Sequence, residues 1–253
     1  MSGSHSRKKT PLSYQDREYR RVENSGLVSS VVKMAETDLH ILASRPVGDQ
    51  ALKLVSEVRG YIEYYIEQHP RFIDTLVPMP MNKQAPEVVR QMLTAGMQAG
   101  VGPMAAVAGV VAEWVGRGLL AQGADEVIVE NGGDLFVARN QACIVAVYAG
   151  ESPLSGKLAI ELQPGRMGCG VCCSSGTIGH SLSLGVADAV VVVAPSTALA
   201  DAAATRLGNE VVREKQSINK ALELAGEIDG LSGVVIISGD QLGAWGDIEL
   251  VRL

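Results

Sequence analysis

The chain carries 253 residues, 47% of them apolar, with 22 Lys and Arg against 28 Asp and Glu and a net charge of −6. A chain of that length buries about 70–75% of its unfolded surface, which excludes wholesale disorder and any need for disulfides or metal to hold a core. With basic clusters only at Arg7–Lys9 and Arg17–Arg21, nucleic-acid binding by the fold is excluded as well, because phosphate backbones demand grouped Lys and Arg.

Residues 1–12 are polar, lack an apolar leader and read as a disordered tail, so a cytoplasmic protein is expected. Short β-favouring runs at 17–23, 27–32 and 38–43 predict strands, broken at Ser25-Gly26 and Arg45-Pro46. Helical spacing of Leu52, Val55, Val58, Ile62, Tyr65 and Ile66 predicts a helix over 47–68, stopped by Pro70. Pro78 and Pro80 mark a rigid connection, and a boundary between two lobes is expected near 78–86 within one domain spanning 13–253. A helix over 86–99 follows, with Val88, Met92, Ala95 and Met97 inside. The next helix, 103–122, is rich in Ala and Gly, which permits close approach to another element. The longest apolar run, Val101 to Ala112, is too short to cross a bilayer, so no membrane association is expected.

After Gly123 the pattern turns to strands, at 126–130, 134–138, 142–149 and 157–163. The dense apolar run 186–194 suits a strand covered on both faces. A helix over 196–212 has Ser196 as its N-cap, another follows at 218–225, and strands at 233–238 and 247–253 flank a Gly-rich turn. The elements together predict an α+β fold with mixed or antiparallel sheets packed by helices.

Chemistry concentrates in three stretches. Asn131-Gly132-Gly133-Asp134 is a strong hairpin signal that needs no function, yet Glu130 and Asp134 supply more carboxylate than a hairpin requires. The stretch 168–180 reads as a loop, with Ser174, Ser175, Gly176 and Thr177 offering hydroxyls and backbone N–H groups that can nest an anion. His180 follows as a candidate acid or base. Asp201 and Thr205, four residues apart, share one helix face and could offer hard oxygen ligands to Mg²⁺. Between Met167 and Thr205 there is no Lys or Arg, whereas Asp188 and Asp201 are present. An anionic ligand here would therefore rely on backbone N–H groups, a helix N-terminus or a bound cation. Cys169, Cys172 and Cys173 leave three readings open: a metal or redox pair, a reactive thiol with Cys172 as catalytic residue, or plain packing.

The phrases Gly100-Val-Gly-Pro-Met-Ala-Ala-Val-Ala-Gly109, Val129-Glu-Asn-Gly-Gly-Asp134, Ser174-Ser-Gly-Thr-Ile-Gly-His-Ser-Leu-Ser183 and Ala200-Asp-Ala-Ala-Ala-Thr205 carry a resemblance. The chain resembles the ApbE superfamily, whose characterised members are FAD:protein FMN transferases, and more closely a short cytoplasmic branch in archaea and anaerobic bacteria. That resemblance implies two intimately associated lobes and a small-molecule ligand, FAD or a related flavin or nucleotide, held with Mg²⁺. It also implies roles by position. Asp201 and Thr205 match the Mg²⁺-binding pair, Asn131–Gly133 and Ser175–Thr177 match turns lining the flavin cleft, and His180 matches a His near the reacting diphosphate. Three departures accompany it: no Lys lies in Met104–Gly109, the interval from His180 to Asp201 is shorter than in the transferases, and no exported, lipid-anchored N-terminus is read. Flavin transfer, sulfur handling through Cys169, Cys172 or Cys173, and non-catalytic binding or assembly all remain as functions, and a homodimer is left open.

Overall fold

The computed structural model describes residues 26–177, 184–214 and 216–253. The expected tail at 1–12 and strand at 17–23 lie outside the described residues. Strands β1 (Val28–Met34) and β2 (Thr37–Ala43) form a hairpin, followed by helix α1 (Gly48–Gln68). Helices α2 (Glu87–Ala99) and α3 (Val107–Ala121) come next. Six strands follow: β3 (Val127–Asn131), β4 (Asp134–Ala138), β5 (Cys143–Ala146), β6 (Leu158–Leu162), β7 (Cys169–Ser174) and β8 (Ala189–Ala194). Helices α4 (Thr197–Glu210) and α5 (Ser217–Ala225) precede β9 (Gly233–Ser238), β10 (Gln241–Gly246) and β11 (Glu249–Arg252).

Eight strands form one sheet in the order β1-β2-β3-β4-β7-β8-β9-β10, and three form a second in the order β11-β6-β5. Every strand pairing among the described residues is antiparallel. Because side chains alternate across a strand, the large sheet has two apolar faces. One set, including Ile41, Val129, Phe136, Val190 and Ile236, packs with the helices. The other, including Leu42, Val137, Val171, Val191 and Ile237, packs with Ile160 and Leu162 of the small sheet. The result is three layers: helices, an eight-stranded sheet and a three-stranded sheet. All six residues of β8 are buried, as a strand covered on both faces demands.

Most helices fall where periodicity places them, with local differences. In α1 the inward stripe is Ala51, Leu54, Val55, Val58, Ile62 and Tyr65, and Leu52 is left exposed, one step off that stripe. In α2, Val88, Met92 and Ala95 are buried but Met97 faces out, and Gly100 closes the helix at φ 73°. Residues on both sides of the 78–86 connection enter one core, since α1 and α2 contribute to the same apolar cluster. The apolar stretch Pro103–Ala121 has the length and composition to cross a membrane, more than the shorter run 101–112 indicated. Here it is the central helix, packed against α1, α4, β3 and β4.

Two glycine-rich stretches read as loop or turn are strands. The first seven residues of the 168–180 loop include β7, where Cys169 to Ser174 are buried except for a half-buried Cys173. The Gly-rich turn before the last strand is β10, paired along its length with β9. Glycine is normally poor in strands. At both places a helix presses so close that a side chain has no room. A Cβ at Gly170 would lie 2.5 Å from Thr197 Cα, and one at Gly243 would lie 2.5 Å from Ile218 Cγ2.

Candidate functional site

The β3–β4 hairpin turns on Gly132 and Gly133, with φ of 69° and 109°, and Asn131 pairs with Asp134 across it. Positive φ at both turn positions is what a tight two-residue hairpin requires, and only glycine adopts it without strain. Gly133 N donates to Glu130 Oε1 at 2.9 Å, which fixes the turn. Asn131 then reaches the helical layer, where its Nδ2 donates to Ala108 O at 3.1 Å.

Asp201 meets the same place from α4. Helices α3 and α4 approach so closely that a Cβ on Gly109 would lie 2.4 Å from Thr197 O and 2.8 Å from Asp201 Cβ. The gap lets Gly109 N donate to Asp201 Oδ2 at 2.8 Å, and the Ala108 N–H also favours the Asp201 carboxylate. These are first-turn amides of α3, which have no partner inside their own helix and sit at its positive end. Asp201 thus caps α3 from a neighbouring helix. The residue pair Ala108–Gly109 links the two candidate stretches, with the Ala108 carbonyl bound to Asn131 and the two N–H groups turned to Asp201.

Asp134 opens β4 on the helix-facing side and is 7% exposed. Burial pushes its carboxyl up to about 7, the negative charge of Glu130 adds to the rise, and the Cys172 thiol and Cys173 N–H oppose it. Asp201 is also held well above the usual carboxylate range, first by burial and then by the charge of Asp134, with the Gly109 and Ala108 amides acting against both. Cys172 lies between them. Its Sγ donates to Thr197 O at 3.5 Å, one turn before Asp201, and both carboxylates act on it electrostatically.

The remaining candidates divide. Ser174 ends β7 buried, beside Gly208 on α4, whose added Cβ would lie 3.3 Å from Ser174 Oγ. Thr205 is half-buried on α4 between Asp201 and Gly208. Ser175 and Thr177 turn to each other, with Oγ to Oγ1 at 3.2 Å, and Thr177 Oγ1 donates to Asp188 Oδ1 at 3.2 Å. Gly176 allows that loop to lie against Gly185, where a Cβ would come within 2.3 Å of the Gly185 carbonyl oxygen. Ser175–Thr177 are therefore tied to Asp188 rather than to Asp201. His180 lies outside the described residues. The sequence reading overlooked the roles of Ala108, Gly109, Thr197 and Asp188. A glycine within an Ala-rich helix was the available signal for Gly109.

Burial disfavours the thiolate form of the three clustered cysteines. Burial pushes the Cys169 thiol up to about 11 and Cys173 up to about 12, and it lifts Cys172 well above its ordinary value. Only thiolates attack, so the folded protein is expected to react with iodoacetamide at pH 7.5 far more slowly than after denaturation. Fast alkylation of any of the three in the native state would restore the sulfur-handling reading.

The donor set fits Mg²⁺. Among the described residues no group of three or more His, Cys, Asp or Glu is arranged as a metal cage. Mg²⁺ instead takes one or two carboxylates, keeping waters and phosphates for the rest of its shell. Asp201 and Thr205, four residues apart on α4, would supply oxygen ligands of that kind. A separate groove of about 270 Å³ along α2, lined by Glu87, Arg90, Gln91, Thr94, Gln98 and Ser196, shares no residue with this cluster.

A family model described as AbpE bacteria matches residues 20–238. Among relatives, the UPF0280 protein of Methanosarcina acetivorans is 39% identical over 220 residues, covering 87% of each chain. The UPF0280 protein of Methanocaldococcus jannaschii is 41% identical over 208 residues, covering 80% of this chain and 84% of that one. Among solved structures, the apo flavinyl transferase ApbE of Pseudomonas stutzeri superposes with a TM-score of 0.55 at 14% identity, over 86% of this chain and 93% of that one. The flavin transferase ApbE of Vibrio cholerae gives 0.54 at 12% identity, over 87% and 97%. The structural likeness shows a fold shared with the ApbE flavin transferases, and the sequence match shows the family: the chain belongs to the AbpE bacteria family.

Proposed function

We propose that this protein binds a flavin or related nucleotide diphosphate together with Mg²⁺ at the Asn131–Asp134, Asp201 and Thr205 cluster, as a transferase of FMN-transfer type. The observation that carries this reading is the Asp201 carboxylate clamped by the first amides of α3 beside the buried Asp134. Such a clamp holds a carboxylate oxygen at a fixed point, which is what a cation ligand requires. Asp201 and Thr205 would hold Mg²⁺, which when bound would neutralise and polarise a diphosphate. The Gly132–Gly133 turn presents backbone without side chains, so a ligand can approach closely. The Ser175–Thr177 hydroxyls, braced by Asp188, would line another side of the ligand cleft. The absence of Lys and Arg from Met167 to Thr205 is consistent with charge compensation by a cation rather than by side chains.

The test is thermal unfolding with FAD, with and without Mg²⁺. At a hundredfold excess over its dissociation constant a ligand stabilises the fold by about 2.7 kcal/mol. FAD should raise the melting temperature with Mg²⁺ present and do so much less in EDTA. Incubation with FAD and an acceptor hydroxyl should release AMP. An unchanged melting temperature with FAD, FMN and ADP alike would remove the reading, and ligand binding without AMP release would leave a binding protein.

A further inference from the structure

We infer that Asp134 is a second carboxylate of the cation site, so that the protein holds a divalent ion before any nucleotide arrives; this rests on the reading of the site given above. Asp134 is 93% buried by its 7% exposure, and its Oδ1 has no hydrogen-bond partner. A buried polar atom left so costs the full desolvation of that group, and a carboxylate oxygen is among the most expensive to leave bare. Native structures tolerate such atoms where something else completes them.

Three elements decide what Oδ1 can meet. Strand β4 is pressed onto α3, since a Cβ on Gly116 would lie 2.1 Å from Phe136 Cδ1, and Phe136 shares the helix-facing side with Asp134. The N-terminal end of α3 holds Asp201 through Gly109 N. Cys172 on β7 interacts with both carboxylates and is tied to α4 one turn before Asp201. The two carboxylates therefore act on each other and on Cys172, with Asp134 buried and Asp201 half-buried. Such a pair needs a proton, a basic side chain or a metal ion between its members.

Among the described residues, no Arg or Lys acts on either carboxylate. Arg117 is committed to Glu113 and lies over Phe136, and Arg139 pairs with Glu126. A proton on Asp134 would quiet the repulsion but leave a donor or acceptor without a partner. A hard divalent cation satisfies Oδ1, the repulsion and the free coordination of Asp201 at once.

The experiment is a titration of the EDTA-treated full chain with Mn²⁺ and no nucleotide, following loss of the free-ion EPR signal, with Mg²⁺ as competitor. The wild type is expected to bind, and Asp134→Asn to bind at least about tenfold more weakly. Glu161→Gln, on the small sheet, serves as a charge control and should bind as the wild type does. In EDTA, Asp134→Asn should melt at a higher temperature than the wild type, because it removes a buried charge, and it should lose most of the rise that Mg²⁺ gives. A merely structural Asp134 would show the opposite sign in EDTA. Asp134→Ser replaces the Asn variant if that protein does not fold. Equal Mn²⁺ affinity in the wild type and Asp134→Asn would mean a neutral acid at this position and overturn the inference. No Mn²⁺ binding by the wild type would overturn it too, while Mg²⁺-dependent stabilisation by FAD would keep the preceding reading standing. Metal binding lost in Asp134→Asn with no effect of any nucleotide would uphold the inference and remove that reading instead.

Discussion

An Asp201→Ala protein is expected to lose Mg²⁺-dependent stabilisation by FAD entirely, about 2.7 kcal/mol at a hundredfold ligand excess. It is also expected to lose about 1–2 kcal/mol of intrinsic stability, because truncation leaves the first amides of α3 without their acceptor. The two effects separate in Asp201→Asn. That variant keeps an oxygen for Gly109 N, whose bond to Asp201 measures 2.8 Å, while removing the charge that would hold a cation. It should melt within about 1 kcal/mol of the wild type in EDTA yet gain nothing from Mg²⁺ and FAD. Thermal unfolding in EDTA and in Mg²⁺ with FAD measures both quantities. If Asp201→Asn responded to Mg²⁺ and FAD as the wild type does, Asp201 would be a helix cap and nothing more.

Gly109→Ala should be nearly as damaging, for a different reason. The added Cβ would sit 2.4 Å from Thr197 O and 2.8 Å from Asp201 Cβ, and the first of these is backbone that cannot swing away. Helices α3 and α4 must then separate, at a cost of about 1–3 kcal/mol for overpacking, partly offset by the better helix propensity of Ala. In a chain of this size that is several degrees of melting temperature. Separation also lengthens the bond to Asp201, so ligand response should weaken beyond what lost stability explains. Gly170→Ala presses on the same residue from the sheet side, 2.5 Å from Thr197 Cα. Since both substitutions displace Thr197, their combined cost should fall short of the sum. Additive costs in a double-mutant cycle would show that α4 is not a shared wedge between α3 and β7.

Local patterns carried most of the architecture. The apolar run ending at Ala194 is a fully buried strand because Val-rich continuous sequence suits a surface covered twice. Ser196 caps α4, accepting from Leu199 N at 3.3 Å, since a hydroxyl there meets an amide with no partner in its helix. The Asn-Gly-Gly-Asp signature closes a hairpin because two successive positive φ values favour glycine. Strands β7 and β10 were missed for one physical cause. Their glycines answer to a helix lying across them, and sequence propensity registers only the weakness of glycine as a strand former. Leu52 and Met97 fell on the wrong side for a related reason: apolar type does not say which of two adjacent helix faces the core will take.

The site itself was only half legible. Asp134, Asp201 and Cys172 could each be picked out by residue type and surroundings in the chain, and spacing alone put Asp201 and Thr205 on one helix face. That Asp201 would be gripped by Gly109, 92 positions away, and that Asp134 would stand beside it with one oxygen bare, came from tertiary packing. Helix and strand periodicity is a property of neighbours along the chain, whereas the desolvation and repulsion that define this cluster arise only when distant segments exclude water together. Packing likewise tied Ser175 and Thr177 to Asp188 and set Cys169 and Cys172 in the interior, where burial raises their thiol pKa.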